Sequence, residues 1–443
     1  MSQQYPAPVR LRKFPFPYKA AFTVCSDIDG TSFENFLEIH RFLNTTQTTR
    51  CGNGLGLEIG DSFWFYSKLG TPDHAFVYFD ETNQQPSAQA EVMRELLRAG
   101  FLDVMHTYGN FNAAMPAFTR ALAEQALNEL AKLGVTIRTW VNHGGPENLQ
   151  NVGANTLGAL GDSPRLANKQ ENLAYHTDLL IGSGARFFWA TESAVTNIIG
   201  QDRPCSFKEA YLTNVAFKSG GEKLKNAVKG LGAMANRISE QVFDRRWFPL
   251  EAYLGNNDLL QPWTLRDGNR VFKFRRYGSG RWDWSDDVPL VLNEAILDRL
   301  IEVEGAAILY VHLGDRRTRD DGLPISRETI EVFRILAEKY RAGKIWVTTT
   351  TRLLTYCAIR DALRWHCETS DDQYMIYIDG IDSDVISHDW LTMENLQGVA
   401  FDTPTPEKTT IVFRDKLLPI KRNFDGGSSV SISLRSLVFP QCN

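Results

Sequence analysis

The sequence of 443 residues predicts an α/β fold with a barrel-like core, an inserted region and a small C-terminal all-β domain. About seven apolar, strand-like runs alternate with amphipathic segments before residue 365, a pattern typical of parallel strands connected by helices. No GxGxxG motif follows a predicted strand and no GxxxxGK(S/T) motif occurs, which favours a barrel over an open nucleotide-binding sheet. After about residue 365 apolar residues recur at alternate positions, which predicts β-strands.

These patterns predict two domains. The barrel is expected over residues 1–364, and a β-sandwich-like domain of roughly eighty residues over 365–443. Between about 200 and 287 the alternation of strands and helices breaks, and aromatic and basic residues surround the turn signal Arg266-Asp267-Gly268-Asn269. We interpret this stretch as an insertion that covers the functional site and contains a pair of strands.

The prediction of the site starts from the residues that follow the first strand of the core. An apolar run over residues 20–26 is typical of a buried strand, and it ends at Asp27, Asp29 and Gly30 before a helical segment that starts at Ser32. In α/β folds ligands bind where such strands end. The two carboxylates suit a metal ligand and a general base. A turn in which both Asp side chains cap the following helix is the alternative.

The remaining elements of the predicted core follow in order. Further strands are expected over 74–79, 102–105, 135–141, 185–190, 306–311 and 345–349, and further helices over 88–98, 117–133, 169–181, 293–303, 326–340 and 353–363. Gly100 and Gly134 are positioned to end helices, and Ser326 to begin one.

Potential metal ligands follow several of these strands. Three of the eight histidines, His106, His143 and His312, come at the ends of different strands, and Glu192 follows another. A lone histidine in such a position usually has a structural hydrogen bond. Three of them near two carboxylates are instead expected to converge on one metal ion with a bound water, because zinc takes imidazole nitrogen and carboxylate oxygen.

Composition limits the class of partner. The net charge of -5 argues against nucleic acid, and we interpret the short basic clusters at 10–13 and 273–276 as solvated faces or local ligand contacts. No apolar run is long enough for a membrane span, and residues 1–19 have no signal-peptide core. The six scattered cysteines form no CxxC pair. We therefore expect a cytoplasmic protein with free thiols.

Three motifs resemble the polysaccharide deacetylase family, the NodB homology domain of carbohydrate esterase family 4. Residues 22–30 (FTVCSDIDG), His106-Thr107 and residues 309–312 (LYVH) are similar to its first, second and last motifs. The resemblance covers roughly residues 15–364. It implies a distorted (β/α)7-type barrel in which one Asp and two His bind a divalent metal, another Asp acts as base, and a late His protonates the leaving amine.

The resemblance assigns roles to residues of this chain. It implies Asp27 as base, Asp29 and His106 as metal ligands, and His312 as general acid and oxyanion stabiliser. The family's second motif continues to another histidine four residues after the first, where this chain has Asn110. We predict that His143 supplies the third ligand, with Asn110 as the alternative, and that the metal is zinc. Residues 142–147 show no clear match to the family's arginine–proline motif.

Other residues are predicted to bind the substrate. Trp189, Trp282 and Trp284 could stack on a sugar ring, although core packing is the commoner fate of tryptophan. Glu192 and His176 are placed in the same group, and for His176 a helix-surface or supporting role is an equal alternative.

The predicted function is a metal-dependent hydrolase that removes an N-acyl group, such as acetyl, from a sugar or glycan precursor. The first alternative is hydrolysis of a non-sugar C–N bond on the same fold. The second is a non-catalytic carbohydrate-binding protein in which Asn110 marks a degenerate metal site. The sequence does not predict an oligomeric state.

Overall fold

The structure is a computed structural model of the chain. It describes residues 9–66, 75–80, 85–111, 118–144, 148–153, 174–190, 195–196, 198–203, 224, 228, 231–232, 235, 257–278, 283–314, 319–371, 373–424 and 427–441.

The described residues form a mixed α/β structure. The helices are α1 (Phe33–Asn44), α2 (Ala90–Ala99), α3 (Arg120–Leu133), α4 (Thr177–Gly182), α5 (Val288–Val291), α6 (Glu294–Glu302), α7 (Arg327–Arg341) and α8 (Thr350–Ala362). The strands are β1 (Arg10–Leu11), β2 (Ala20–Ser26), β3 (Thr48–Thr49), β4 (Gly52–Asn53), β5 (Asp61–Tyr66), β6 (Val77–Asp80), β7 (Gln85–Pro86), β8 (Leu102–His106), β9 (Thr139–Val141), β10 (Phe187–Trp189), β11 (Val195–Thr196), β12 (Leu260–Thr264), β13 (Arg270–Phe274), β14 (Arg276–Tyr277), β15 (Ala306–Val311), β16 (Ile345–Val347), β17 (Leu363–Ser370), β18 (Gln373–Ile381), β19 (Ala400–Asp402), β20 (Thr409–Phe413), β21 (Lys416–Leu417), β22 (Ile420–Asn423) and β23 (Ser429–Ile432).

Two sheets with parallel cores position the site. The first has the order β12-β13-β10-β9-β8-β5-β6-β7, and its strands from β13 to β6 are parallel. The second has the order β11-β14-β15-β2-β16 and is parallel throughout. The predicted α/β class is therefore correct. Over the described ranges, strand pairing gives these two separate sheets rather than one continuous ring.

The central strand β2 is buried along its whole length, as expected for a parallel strand covered on both faces. Its neighbour β15 pairs in register, with Val311 opposite Ser26, and the Asp27 N–H donates to the Val311 carbonyl at 2.9 Å. Asp27 and His312 therefore leave the sheet side by side. The pairing of His106 with Val141 places the end of β8 next to the end of β9 in the same way.

Local sequence signals for helix ends are confirmed. Ser32 and Ser326 cap α1 and α7, and each side-chain oxygen accepts a backbone N–H three residues later at 3.2 Å. Gly100 and Gly134 end α2 and α3 with φ of 78° and 69°, the left-handed conformation that glycine adopts without steric cost.

The loops that follow β2 and β15 touch each other closely. The Thr31 hydroxyl donates to the Gly314 carbonyl at 3.2 Å. A Cβ atom at Gly314 would lie 2.1 Å from Thr31 Cγ2, so only glycine fits at this position. This contact fixes the position of the loop that contains Asp29 relative to the loop that begins at His312.

The predicted insertion needs correction at its C-terminal end. The expected strand pair is present as the antiparallel strands β12 and β13. However, β13 also pairs in parallel with β10, and β14 pairs in parallel with both β11 and β15. These strands are therefore part of the two main sheets. Sequence periodicity missed this because β13 and β14 are short and rich in basic residues.

The strands after α8, together with β1, form two further four-stranded sheets. Their orders are β1-β19-β23-β22 and β17-β18-β20-β21, so strand β1 near the N-terminus joins the C-terminal strands. One hydrophobic cluster contains Ile359 of α8, Trp346 of β16, Ile376 of β18 and Phe401 of β19. The C-terminal strands therefore share a core with the parallel sheets. The predicted division into two domains stays a prediction.

No helix in the described part of the chain is both long and apolar enough to cross a membrane.

Candidate metal centre

Three side chains from three different strand ends place potential ligand atoms close together. Asp29 Oδ2 lies 3.0 Å from His106 Nε2, Asp29 Oδ1 lies 3.3 Å from His143 Nδ1, and the two nitrogens are 3.1 Å apart. The set Asp29, His106 and His143 could hold a metal ion, and so could Asp27, Asp29 and His312. The structure therefore brings together all five residues predicted for catalysis or metal binding.

The donor atoms of Asp29, His106 and His143 lie close to the spacing of ligands around a tetrahedral ion. Ligand atoms about 2.0–2.1 Å from tetrahedral zinc lie about 3.3 Å from one another. The two imidazole nitrogens are 3.1 Å apart, and each lies close to this distance from a different oxygen of Asp29, His106 Nε2 at 3.0 Å from Oδ2 and His143 Nδ1 at 3.3 Å from Oδ1. One carboxylate oxygen and two imidazole nitrogens are also a common catalytic zinc set that leaves a position for water.

The orientation of His106 is consistent with metal binding through Nε2. Its ring stacks on Trp64 with 5.8 Å between centroids, and the Trp64 indole N–H donates to the His106 carbonyl. His106 Nδ1 is buried, has no hydrogen-bond partner among the described residues, and lies 3.9 Å from Asp27 Oδ1. If Nε2 binds a cation, Nδ1 must carry the proton, and this N–H then faces the carboxylate favourably.

The loop after β9 fixes His143. The backbone N–H of His143 donates to Asn151 Oδ1 at 3.0 Å, and Asn148 Nδ2 donates to the His143 carbonyl at 2.8 Å. Burial lowers the pKa of the His143 imidazole to about 4 and outweighs the attraction of Asp29. The ring is therefore neutral at pH 7, which is the form that binds metals.

The two carboxylates are ionised for different reasons. Burial raises the pKa of Asp29, but attraction and hydrogen bonding to His106 outweigh it and hold the pKa well below its usual range. For Asp27, burial is again the largest influence, and attraction to Arg276 and then His106 reverses its effect and lowers the pKa.

Arg276 was not predicted as a site residue, yet it is completely buried beneath the site. Its Nη1 and Nη2 donate to the two carboxylate oxygens of Asp27 at 2.5 and 3.3 Å. The guanidinium also lies between two rings, 3.8 Å from the centroid of Trp189 and 4.1 Å from that of Tyr310. From the sequence, we interpreted the basic cluster that contains Arg276 as a solvated face or a local ligand contact. The structure shows that the solvated interpretation is wrong for Arg276.

His312 approaches a different oxygen of Asp29 from the one that His143 approaches. Its Nε2 is 3.8 Å from Asp29 Oδ2, and its Nδ1 is 3.2 Å from the carbonyl of Asp283, which also accepts the His312 backbone N–H. Trp284 stacks on the imidazole with 4.9 Å between centroids. Nδ1–H donation to Asp283 leaves Nε2 to face the cavity.

A cavity of about 540 Å³ connects these groups. All five predicted catalytic and metal-binding residues line it, together with Asn110, Trp189, Trp284 and Tyr310. Trp189 and Trp284 are therefore placed where substrate could contact them. Glu192 and Trp282, also predicted to bind substrate, lie outside the described residues.

The structure does not bring His176 to the cavity, which corrects its prediction as a substrate-binding residue. His176 is completely buried at the start of α4, among the rings of Tyr108, Phe118 and Trp140. Its Nδ1–H donates to the Ala174 carbonyl at 2.7 Å. The aromatic residues around it are far apart in the sequence, so its burial was not apparent there.

Comparisons with known proteins give no match, either to protein-family models or to curated proteins and solved structures. A larger groove of about 620 Å³ lies elsewhere in the molecule, and none of the predicted site residues that the structure describes lines it.

Replacing Arg276 by Met should destabilise the protein by about 3–5 kcal/mol, because Asp27 would remain as a buried charge without its partner. The free energy of unfolding in urea measures this. Arg299→Met is the matched control, since Arg299 pairs with Glu302 at the surface and its loss should cost below about 1 kcal/mol. Equal effects of the two substitutions would contradict the account of Arg276.

His176→Phe should make the stability of the folded protein less sensitive to acid. Burial, the largest influence, lowers the pKa of folded His176 to about 4, whereas the unfolded value is about 6.5. The unfolded state therefore binds the proton first, and wild type should lose up to about 3 kcal/mol relative to the variant as the pH falls from about 7 to about 4. Unfolding curves of both proteins across this range test the prediction, and parallel pH profiles would refute it.

Proposed function

We propose that the chain is a metal-dependent hydrolase of the polysaccharide deacetylase type, which removes an N-acyl group from a sugar or glycan precursor. The observation that carries this proposal is the convergence of Asp29, His106 and His143, with donor atoms 3.0–3.3 Å apart, beside Asp27 and His312 in one cavity. A base, an acid and a three-ligand metal set are the groups that metal-dependent amide hydrolysis uses.

The metal, with zinc as the first choice, would polarise the amide carbonyl and lower the pKa of water when bound. Asp27 is kept ionised by Arg276 and is available to accept the proton of the attacking water. His312, oriented by Asp283 and by stacking on Trp284, is placed to donate a proton to the leaving amine. Trp189 and Trp284 offer apolar surface for a sugar ring at the cavity wall.

We also propose how the two parallel sheets and the C-terminal strands are organised. We propose that the two parallel sheets are the walls of one distorted (β/α)7-type barrel over residues 1–364, with the all-β domain over 365–443. In support, Asp29 follows a strand of one sheet and His106 ends a strand of the other, and their side chains meet at 3.0 Å. The carboxyl ends of parallel strands are where barrel enzymes place their chemistry.

His312→Gln should reduce kcat for acetate release from N-acetylated sugar oligomers by roughly 10²–10⁴-fold, because the leaving amine would lack its proton donor. Zinc content should be unchanged, since His312 is outside the proposed ligand set. His366→Gln is the matched control, because His366 is exposed and pairs with Asp379 in the C-terminal strands.

Several outcomes would redirect the proposal. Full activity in His312→Gln would remove this residue from the mechanism. Zinc binding without acetate release, but with hydrolysis of small cyclic or linear amides, would favour the non-sugar C–N hydrolase. Sugar binding without hydrolysis in zinc-loaded protein would favour the non-catalytic binding protein.

A further inference from the structure

Asn110 occupies the position at which the resembled family has a metal-binding histidine, but its side chain makes a different contact. Asn110 Oδ1 lies 3.2 Å from His143 Nε2. The other ring nitrogen, His143 Nδ1, faces His106 Nε2 at 3.1 Å and Asp29 Oδ1 at 3.3 Å. The imidazole of His143 therefore stands between Asn110 and the other donor atoms.

This arrangement determines which nitrogen can bind a cation. A neutral imidazole carries one proton, so a ring that gives the Nδ1 lone pair to a metal must carry its proton on Nε2. The Nε2–H then needs an acceptor, and the amide oxygen of Asn110 is at hydrogen-bond distance. The opposite tautomer would turn an N–H towards the site that the metal would occupy.

We propose that Asn110 is a positioning residue of the metal centre: its side-chain oxygen accepts the Nε2–H of His143 and so holds Nδ1 towards Asp29 and His106. This deepens the proposed function and rests on its assumption that the centre binds a divalent ion. In this arrangement His143, at the end of β9, is the third ligand. Asn110, four residues after His106, orients that ligand instead of binding the metal.

The backbone around both residues fixes their separation. Gln150 holds the loop that contains Asn110, because its side chain accepts the Gly109 N–H at 3.2 Å and donates to the Gly109 carbonyl at 2.9 Å. The adjacent Asn151 accepts the backbone N–H of His143 at 3.0 Å. One short segment after β9 therefore supports both partners of the Asn110–His143 contact, as expected where a ligand must be held in one orientation.

The test measures zinc affinity of the full chain by competition with a chelator. Asn110→Ala should weaken binding by about 10–100-fold, the usual cost of losing such a partner. Asn110→Asp has the same shape and keeps an acceptor oxygen, so its affinity should equal or exceed that of wild type. Asn53→Ala is the matched control, since Asn53 is exposed in β4, outside the metal centre, and should leave the affinity unchanged.

X-ray absorption of the zinc-loaded proteins separates positioning from direct ligation. Two imidazole ligands should be counted in wild type and in zinc-saturated Asn110→Ala, and one in His143→Ala. Wild-type affinity in Asn110→Ala would overturn the proposal. So would two imidazole ligands with undiminished affinity in His143→Ala, or the absence of zinc binding by wild type.

Failure of the proposed function gives a different result. If the zinc affinities follow the expected order but wild type releases no acetate from any acetylated sugar, the hydrolase proposal fails and the role of Asn110 stands. If wild type releases acetate and Asn110→Ala binds zinc normally, only the positioning role fails.

Discussion

The position of two carboxylates at the end of one buried strand, Asp27 buried and Asp29 half-buried, is the constraint on which the rest of the site depends. Asp27 and Asp29 follow β2, and a buried carboxylate is costly unless a positive charge or hydrogen bonds compensate it. Arg276 compensates Asp27, and imidazoles surround Asp29. These partners come from strands far apart in the sequence, so the site can exist only when both parallel sheets are assembled.

The two carboxylates therefore have different surroundings, although only one residue lies between them. The pair of Asp27 with Arg276 is complete within the protein and keeps the Asp27 carboxylate ionised at the cavity. Asp29 instead faces two imidazole nitrogens that also face each other, an arrangement that a shared cation would stabilise. The contrast between a satisfied carboxylate and a carboxylate among metal-ligand nitrogens is the physical basis of the proposed mechanism.

Local sequence patterns predicted much of the fold but missed interactions between distant segments. The buried run of β2, the serine caps of α1 and α7 and the glycines that end α2 and α3 could be predicted because each depends on adjacent residues. The place of β13 and β14 in the sheets could not, since short parallel strands pair with partners that are remote in sequence. The pairing of strand β1 with the C-terminal strands could not be predicted for the same reason.

The site shows the same division. Asp29, His106, His143 and His312 could be found because each follows a strand end, and parallel strands bring such ends to one edge. Arg276 was missed because a buried arginine in a basic cluster has the same local sequence as a solvated one. His176 was misplaced because the rings that bury it come from separate segments.

The most direct test of the central claim is a crystal structure of the zinc-reconstituted protein, with anomalous diffraction measured at the zinc absorption edge. We expect one anomalous peak about 2.0–2.1 Å from an oxygen of Asp29, from His106 Nε2 and from His143 Nδ1. Absence of the peak, or a peak bound by Asp27, Asp29 and His312 instead, would contradict the account.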